Sequence, residues 1–146
     1  MSLKRLLSIC VAAGFAAFPA FAEMQLVMVE EHGCMWCEQW DEELSAIYPK
    51  TDEGRQAPLR RHDIHDDLPE GLALSRPLNF TPTFVLIVDG VEMSRIEGYP
   101  GEDFFWGLLA MMIADAEKTM IAEGKALQPE PSDDRADDVL AAAQQE

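Results

Sequence analysis

Apolar and polar residues recur along the chain with two different periods, which predicts a mixture of strands and helices. The run Met24 to Glu30 is short and apolar and is followed by a His-Gly break, which is typical of a buried strand. A helical period follows from Cys34, and Pro49 ends it. Its apolar residues lie three or four positions apart: Cys37, Trp40, Leu44 and Ile47.

The second half of the chain predicts three more strands and two more helical segments. Leu59 to Ile64 forms a weaker strand, Thr83 to Val88 is the most apolar strand, and Val91 to Ile96 pairs back onto it through a two-residue Asp-Gly turn. A short helical piece is expected at Leu72 to Arg76, and a final helix at about Glu102 to Glu123. The final helix is expected to bury six residues: Phe105, Leu108, Leu109, Met112, Ile113 and Ala116. The order strand, helix, strand, helix, hairpin, helix predicts a single α/β domain.

Both ends of the chain differ in composition from this domain. Residues 1–22 have two basic residues, an uncharged run and a final Ala-Phe-Ala, which predicts a signal peptide cleaved after Ala22. A lipoprotein signal at Cys10 is the rival interpretation, but Ile9 stands where such sites need a small residue. Residues 23–125 form the expected domain, and residues 126–146 an acidic tail that lacks core-forming residues and is expected to be disordered.

Net charge narrows the choice of partners. The chain has 146 residues, enough for one core, and a formal charge of −16. Cleavage removes Lys4 and Arg5 and no acid, so the exported chain carries −18. Such a surface repels nucleic acid and anionic lipid, so we expect protein partners. We also expect a monomer.

Export also removes Cys10 and leaves two cysteines, Cys34 and Cys37. A bridge between them closes a loop too small to stabilise a fold, so the pair predicts chemistry rather than scaffolding. A strand that feeds a helix places Cys34 at the helix N-terminus, where free N–H groups favour its thiolate. We therefore expect Cys34 to attack a foreign disulfide and Cys37 to resolve the mixed disulfide.

The alternative to an enzyme is a module that handles copper or zinc, or one that only binds a partner. His32 could join Cys34 and Cys37 as a ligand, His62 or His65 could complete the set, and Met35 offers a soft sulfur for copper. The chain has no second cysteine pair, which weighs against a structural zinc site. Glu38 directly after Cys37 excludes the haem-attachment motif.

Thr81-Pro82-Thr83 stands immediately before the most apolar strand. Together with the cysteine pair, it resembles the thioredoxin fold over roughly residues 23–124. The resemblance implies a central mixed four-stranded sheet and a cis-proline loop opposite the cysteines. It also implies that Thr81 and Pro82 contact the substrate.

Four longer runs sharpen this resemblance: EEHGCMWCEQW, PLRRHDIHD, FTPTFVLIVDG and RIEGYPGEDFFWGLL. They are similar to the SoxS-type thioredoxin-like proteins of bacterial sulfur oxidation. The resemblance implies a periplasmic thiol–disulfide oxidoreductase that needs no cofactor beyond its redox-active cysteines. It further implies reduction by a membrane thiol electron transporter and action on the cysteine of a sulfur-carrier protein.

The sequence departs from ordinary thioredoxins near the cysteines. Met35-Trp36 replaces Gly-Pro, and Met28 stands where a buried aspartate would assist proton transfer. Trp36 falls on the outer face of the first helical turn and is expected to contact substrate, whereas Trp40 falls on the core side.

Acidic residues around the cysteines predict the direction of electron flow. Negative charge at Glu30, Glu31 and Glu38 disfavours the thiolate and therefore favours a reductant over an oxidase.

Overall fold

The computed structural model describes residues 21–127, and nearly all of the predicted signal peptide and tail lie outside them. The elements follow one another in this order: β1 Phe21–Ala22, β2 Met24–Glu30, α1 Met35–Trp40, a π-helical turn Asp41–Ser45, a 3₁₀ turn Tyr48–Lys50, α2 Asp52–Gln56, β3 Leu59–Asp63, β4 Thr83–Val88, β5 Val91–Glu97, α3 Glu102–Ala122 and β6 Ala126–Leu127. Within residues 21–127 no helix combines the length and apolarity needed to cross a bilayer.

Four of the strands form the predicted mixed sheet, in the order β3-β2-β4-β5. β2 lies in the middle, parallel to β3 and antiparallel to β4, and β5 pairs antiparallel with β4. The strands β2 and β4 have the predicted bounds because each apolar run stops at a residue suited to a turn. The central position of β2 carries the chain directly to the cysteine pair at its carboxyl end.

The β4–β5 turn explains why this hairpin could be read from the sequence. Asp89 and Gly90 have φ angles of 51° and 80°, the positive values that a two-residue hairpin turn requires. A Cβ at Gly90 would also lie 2.3 Å from the Gly71 carbonyl oxygen, so a side chain there has no room.

One face of the sheet, here called the helical face, packs against the helices through an aromatic core. The ring of Trp40 lies 5.5 Å from that of Phe84 and 5.8 Å from that of Phe105, and all three side chains are fully buried. Tyr48 completes the group and donates a 2.7 Å hydrogen bond to the Ala57 carbonyl. Helix α3 matches its prediction, although Leu108 and Met112 are only partly buried.

The opposite face is covered without a helix, which contradicts the predicted helical piece at Leu72 to Arg76. Ala73 instead bonds to the β5 hairpin, with its N–H 2.7 Å from the Gly90 oxygen and its oxygen 3.0 Å from the Glu92 N–H. In this extended backbone every second side chain points to the sheet, and Leu72 and Leu74 pack on its valines and isoleucine. We call residues 64–78 the cover segment.

The first helix is shorter than the sequence predicts. After Trp40 the backbone widens into the π-helical turn, and Pro49 lies inside the 3₁₀ turn rather than after a helix. The wider turn shifts the phase of the later residues, which leaves Ile47 41% exposed although Leu44 is buried.

Strands β1 and β6 pair in parallel, and each lies just outside one of the two predicted domain limits. Cleavage after Ala22 would separate β1 from the rest of the domain, and a domain ending at residue 125 would exclude β6. The limits 23–125 therefore stay a prediction.

Candidate active site

The turn after β2 presents the cysteine pair. Gly33, with a φ of 77°, allows the chain to leave the strand and start helix α1 within four residues. The Cys34 N–H donates to the Glu31 carbonyl across this turn at 3.3 Å. Cys34 is the N-cap of α1, as the sequence predicts.

Cys34 and Cys37 form a disulfide with an S–S distance of 2.08 Å and a Cα–Cα distance of 5.2 Å. The Cys37 N–H donates to the Cys34 sulfur at 3.2 Å, so the helix start offers this sulfur a hydrogen-bond donor. Cys34 is 9% exposed and Cys37 is 4% exposed, so Cys37 lies deeper. A donor aimed at the outer sulfur stabilises a thiolate there once the bond is reduced.

The loop before β4, here called the cis-proline loop, forms the second part of the site. The Thr81–Pro82 peptide bond is cis, and the Pro82 carbonyl accepts from the Gly98 N–H at 2.7 Å. Thr83 anchors the other side of the loop through a 2.7 Å hydrogen bond from its hydroxyl to the Phe80 carbonyl. The N–H and carbonyl of Thr81 itself have no partner among residues 21–127.

Glu31 connects the cysteine turn to the cis-proline loop. Its carboxylate accepts a 2.5 Å hydrogen bond from the Thr81 hydroxyl, and its second oxygen lies 3.3 Å from Nε2 of His65. Since the Glu31 carbonyl also holds the Cys34 N–H, one residue contacts the cysteine turn, the cis-proline loop and the loop after β3.

Glu30 and Glu31 differ in how far a neighbouring cation offsets their negative charge. Arg61 pairs with Glu30 at 2.5 Å and also with Asp41, and its guanidinium lies 5.8 Å from the centre of the Trp40 ring. The hydrogen bond to Asp41 is the main cause that raises the pKa of Arg61 above its ordinary value. The expected effect of Glu30 on the thiolate is therefore largely offset by Arg61, which leaves Glu31 and Glu38 as the relevant acids.

Three large apolar side chains in the cysteine turn and the cis-proline loop are exposed. Met35 is 66% exposed and Trp36 is 50% exposed, in agreement with a position on the outer face of the first turn. Phe80, one residue before Thr81, is 59% exposed. Met28 and Trp40 are fully buried, so the core beneath the pair is apolar.

The candidate ligands His62 and His65 have other environments in the fold. His62, a candidate metal ligand, is 8% exposed because it faces the apolar side of the sheet beside Val29. His65 is exposed and contacts Glu31. Among residues 21–127 no three His, Cys, Asp or Glu side chains are arranged so that they could hold a metal ion.

A comparison with solved structures matches the chain to the crystal structure of the periplasmic thioredoxin SoxS from Paracoccus pantotrophus in its reduced form. The two sequences are 55% identical, the match covers 64% of this chain and 99% of the SoxS chain, and the TM-score is 0.64. The chain belongs to the SoxS family of periplasmic thioredoxins. Comparisons with protein-family models and with curated proteins give no match.

Membership of the SoxS family confirms the thioredoxin-like fold predicted from the sequence. The close pair Cys34 and Cys37 fits the thiol–disulfide chemistry of a thioredoxin.

The sequence did not predict the roles of two residues in this SoxS-family site. Glu31 links the cysteine turn to the cis-proline loop, and Arg61 pairs with Glu30 and Asp41. Glu31 was noted only for its charge, because its contact with Thr81 spans 50 positions in sequence. Arg61 lies opposite Met28 in a strand register that one sequence does not reveal. Side chains alternate along a strand, so Arg61 lies on the same side of β3 as Leu59, which packs against the core of the helical face, and this spacing was the available signal.

Proposed function

We propose that this protein is a periplasmic thiol–disulfide oxidoreductase that reduces protein disulfides or cysteine-bound sulfur adducts. The observation that carries the proposal is the Cys34–Cys37 pair at the start of α1, with the Cys37 N–H bonded to the outer sulfur. Family membership supports the same chemistry, since the matched relative is a periplasmic thioredoxin.

The reaction needs only the two cysteines and the substrate. The Cys34 thiolate attacks one sulfur of the substrate disulfide, forms a mixed disulfide and releases the other sulfur as a thiolate. Cys37 then loses its proton and attacks Cys34, which releases the second substrate thiolate and forms the Cys34–Cys37 bond. Two electrons pass to the substrate, its two thiolates take up protons, and no cofactor takes part.

Trp36, Thr81 and Pro82 receive the substrate in this proposal. Trp36 offers half of its surface beside Cys34, and Thr81 has unpaired main-chain groups within the described part of the chain. A substrate segment in extended conformation can pair with such groups while its apolar side chains contact the indole.

The partners follow from family resemblance and charge. A sulfur-carrier protein with a reactive cysteine is the proposed substrate, and a membrane thiol electron transporter restores the reduced pair. The leader at residues 1–22 would deliver the protein to the periplasm, where the matched relative works.

Insulin reduction with dithiothreitol as electron donor tests the activity. The wild type should accelerate precipitation of the insulin B chain, and Cys34→Ser should abolish the acceleration. Cys37→Ser should retain attack by Cys34 and trap a mixed disulfide with its substrate, which mass spectrometry of periplasmic extracts would identify.

A brief iodoacetamide pulse should label Cys34 much faster than Cys37, and equal labelling would contradict these roles.

The direction of electron flow has a separate test. With acids at Glu31 and Glu38, we expect a reduction potential closer to about −270 mV than to about −120 mV. Glu38→Gln should make the potential less negative by about 10 mV, because one exposed charge contributes only a few tenths of a kcal/mol. Glu42→Gln, a more distant exposed acid, is the matched control. Equilibration with glutathione measures both, and a wild-type value near −120 mV would contradict the reductant assignment.

A further inference from the structure

Glu31 lies where the cysteine turn and the cis-proline loop meet. We propose that Glu31 is a positioning residue that holds the main chain of Thr81 in the orientation needed to pair with a protein substrate. This inference rests on the proposed function, since it concerns how the same site receives a disulfide-bearing chain.

The contacts of Glu31 give it one fixed orientation. Its carbonyl accepts from the Cys34 N–H at 3.3 Å, and one carboxylate oxygen accepts from the Thr81 hydroxyl at 2.5 Å. The other carboxylate oxygen lies 3.3 Å from Nε2 of His65, and the side chain is 38% exposed. A short hydrogen bond to an ionised acceptor is stronger than one between neutral groups, so the Thr81 side chain is held firmly.

The Thr81 hydroxyl is therefore already bonded, which leaves the main chain of Thr81 for an incoming segment. Its N–H and carbonyl make no hydrogen bond within residues 21–127, whereas the neighbouring Pro82 carbonyl already bonds Gly98. An extended segment that pairs with Thr81 would lie along the loop that Glu31 connects to Cys34. Glu31 thus acts through Thr81 rather than by touching the reacting sulfurs.

This arrangement predicts an effect on protein substrates that small disulfides do not share. Removing the Glu31 carboxylate frees the Thr81 side chain and loosens its main chain, which should raise KM for insulin about three- to tenfold with little change in kcat. Hydroxyethyl disulfide has no main chain to pair, so its reduction should change only through the loss of the Glu31 charge near the thiolate, and by less than the change for insulin.

Four variants test the coupling: Glu31→Ala, Glu31→Gln, Thr81→Val and the double variant Glu31→Ala/Thr81→Val. Glu31→Gln keeps an acceptor oxygen and should recover most of the wild-type KM. Thr81→Val removes the hydroxyl at nearly constant shape and should match Glu31→Ala. Because both changes break the same hydrogen bond, the double variant should be no worse than the more affected single variant. Glu42→Ala is the control for loss of an exposed acid, with KM for insulin within twofold of wild type.

Thermal melting and iodoacetamide labelling of Cys34 establish that each variant is folded. If Glu31→Ala does not fold, Thr81→Val carries the test alone. A wild-type KM in Glu31→Ala and Thr81→Val, additive effects in the double variant, or equal losses on insulin and hydroxyethyl disulfide would overturn the proposal. A wild type that reduces neither substrate would instead refute the proposed function, so the two failures are distinct.

Discussion

The two faces of the sheet are packed in different ways. On the helical face, Trp40, Phe84 and Phe105 are fully buried beneath α1 and α3. On the other face, a smaller set of Val27, Val29, Val85 and Ile87 lies beneath the extended cover segment. The cysteines belong to the helical face, so the site is built on the more deeply packed side of the domain.

The apolar cluster beneath the cover segment is the smaller of the two, and polar contacts also hold this segment on the sheet. Arg95 donates to the carbonyls of Arg76 and Pro77 at 3.0 and 3.2 Å, and Glu92 accepts from the Ser75 N–H at 2.8 Å. Arg95 and Glu92 also pair with each other at 2.6 Å with side chains only 3% and 4% exposed. An extended segment therefore covers this face, and a buried ion pair bonds two of its carbonyls and one of its N–H groups.

The largest expected effect is on the free energy of unfolding. It is found by making the same substitution, leucine to alanine, on each face of the sheet. Leu109→Ala empties a fully buried site under α3 and should lower the free energy of unfolding by about 3 kcal/mol. Leu74→Ala changes a partly buried residue of the cover segment and should cost about 1 kcal/mol. Urea unfolding of the reduced and oxidised forms measures both.

Hydrogen exchange provides an independent check on that pair. Leu74→Ala should speed exchange at residues 72–78 while α3 stays protected, because the cover segment can open alone. Equal destabilisation by the two substitutions would mean that both faces unfold as one unit.

The second largest effect is the contribution of the buried Glu92–Arg95 ion pair to stability, which depends on pH. Burial raises the pKa of Glu92, but hydrogen bonds from Arg95 and Ser75 outweigh it, so the pKa lies below the usual 4.5. The carboxylate therefore stabilises the fold above pH 4.5, and this contribution is lost as the pH falls through the lower folded value. Glu92→Gln should cost about 1–2 kcal/mol at pH 7 and progressively less towards pH 3.

Chemical unfolding of wild type and Glu92→Gln across this pH range gives the difference directly. Glu42→Gln, which changes an exposed acid, serves as the control, since that change should have a small effect at every pH. A difference that stays constant between pH 7 and pH 3 would show that the charge of Glu92 does not stabilise the cover segment.

The smallest effect lies outside both faces, at the strand pair β1–β6. Ending the chain after Leu127 keeps β6 and should leave the melting temperature within about 1 °C, whereas ending it after Lys125 removes β6 and should lower it by about 2–4 °C. Insulin reduction should be unchanged in both. An equal loss from the two truncations would place stabilising contacts beyond residue 127.

Short-range signals explain what the sequence predicted and what it missed. Thr83 to Val88 and the Asp89-Gly90 turn could be read directly, because an apolar run and a positive-φ turn are encoded locally. The helix expected at Leu72 to Arg76 was wrong, because the partner of Ala73 lies in a strand almost 20 positions away. Helix α2 was missed, although the capping Thr51, which accepts from the Gly54 N–H, was a usable signal.

The same distinction holds for the site. Cys34 and Cys37 are close in sequence and their arrangement could be predicted, whereas Glu31 meets Thr81 only after two strands have paired. The charge of Glu30 was visible in the sequence, but its pairing with Arg61 depends on the register of β2 and β3. Long-range pairing thus decides which of the acids near the cysteines keep their electrostatic effect.

Asp89 brings the two ends of the described domain together. It accepts from the Glu23 N–H at 3.0 Å and pairs with Lys125 at 3.1 Å, at the amino end of β2. The cysteines follow the other end of this seven-residue strand, about 20 Å away. A resin or electrode attached near residue 23 or residue 125 would therefore lie at the end of β2 opposite the cysteines and leave the approach to Cys34 open. The same closeness of the two ends allows a short linker to join them in circular permutants.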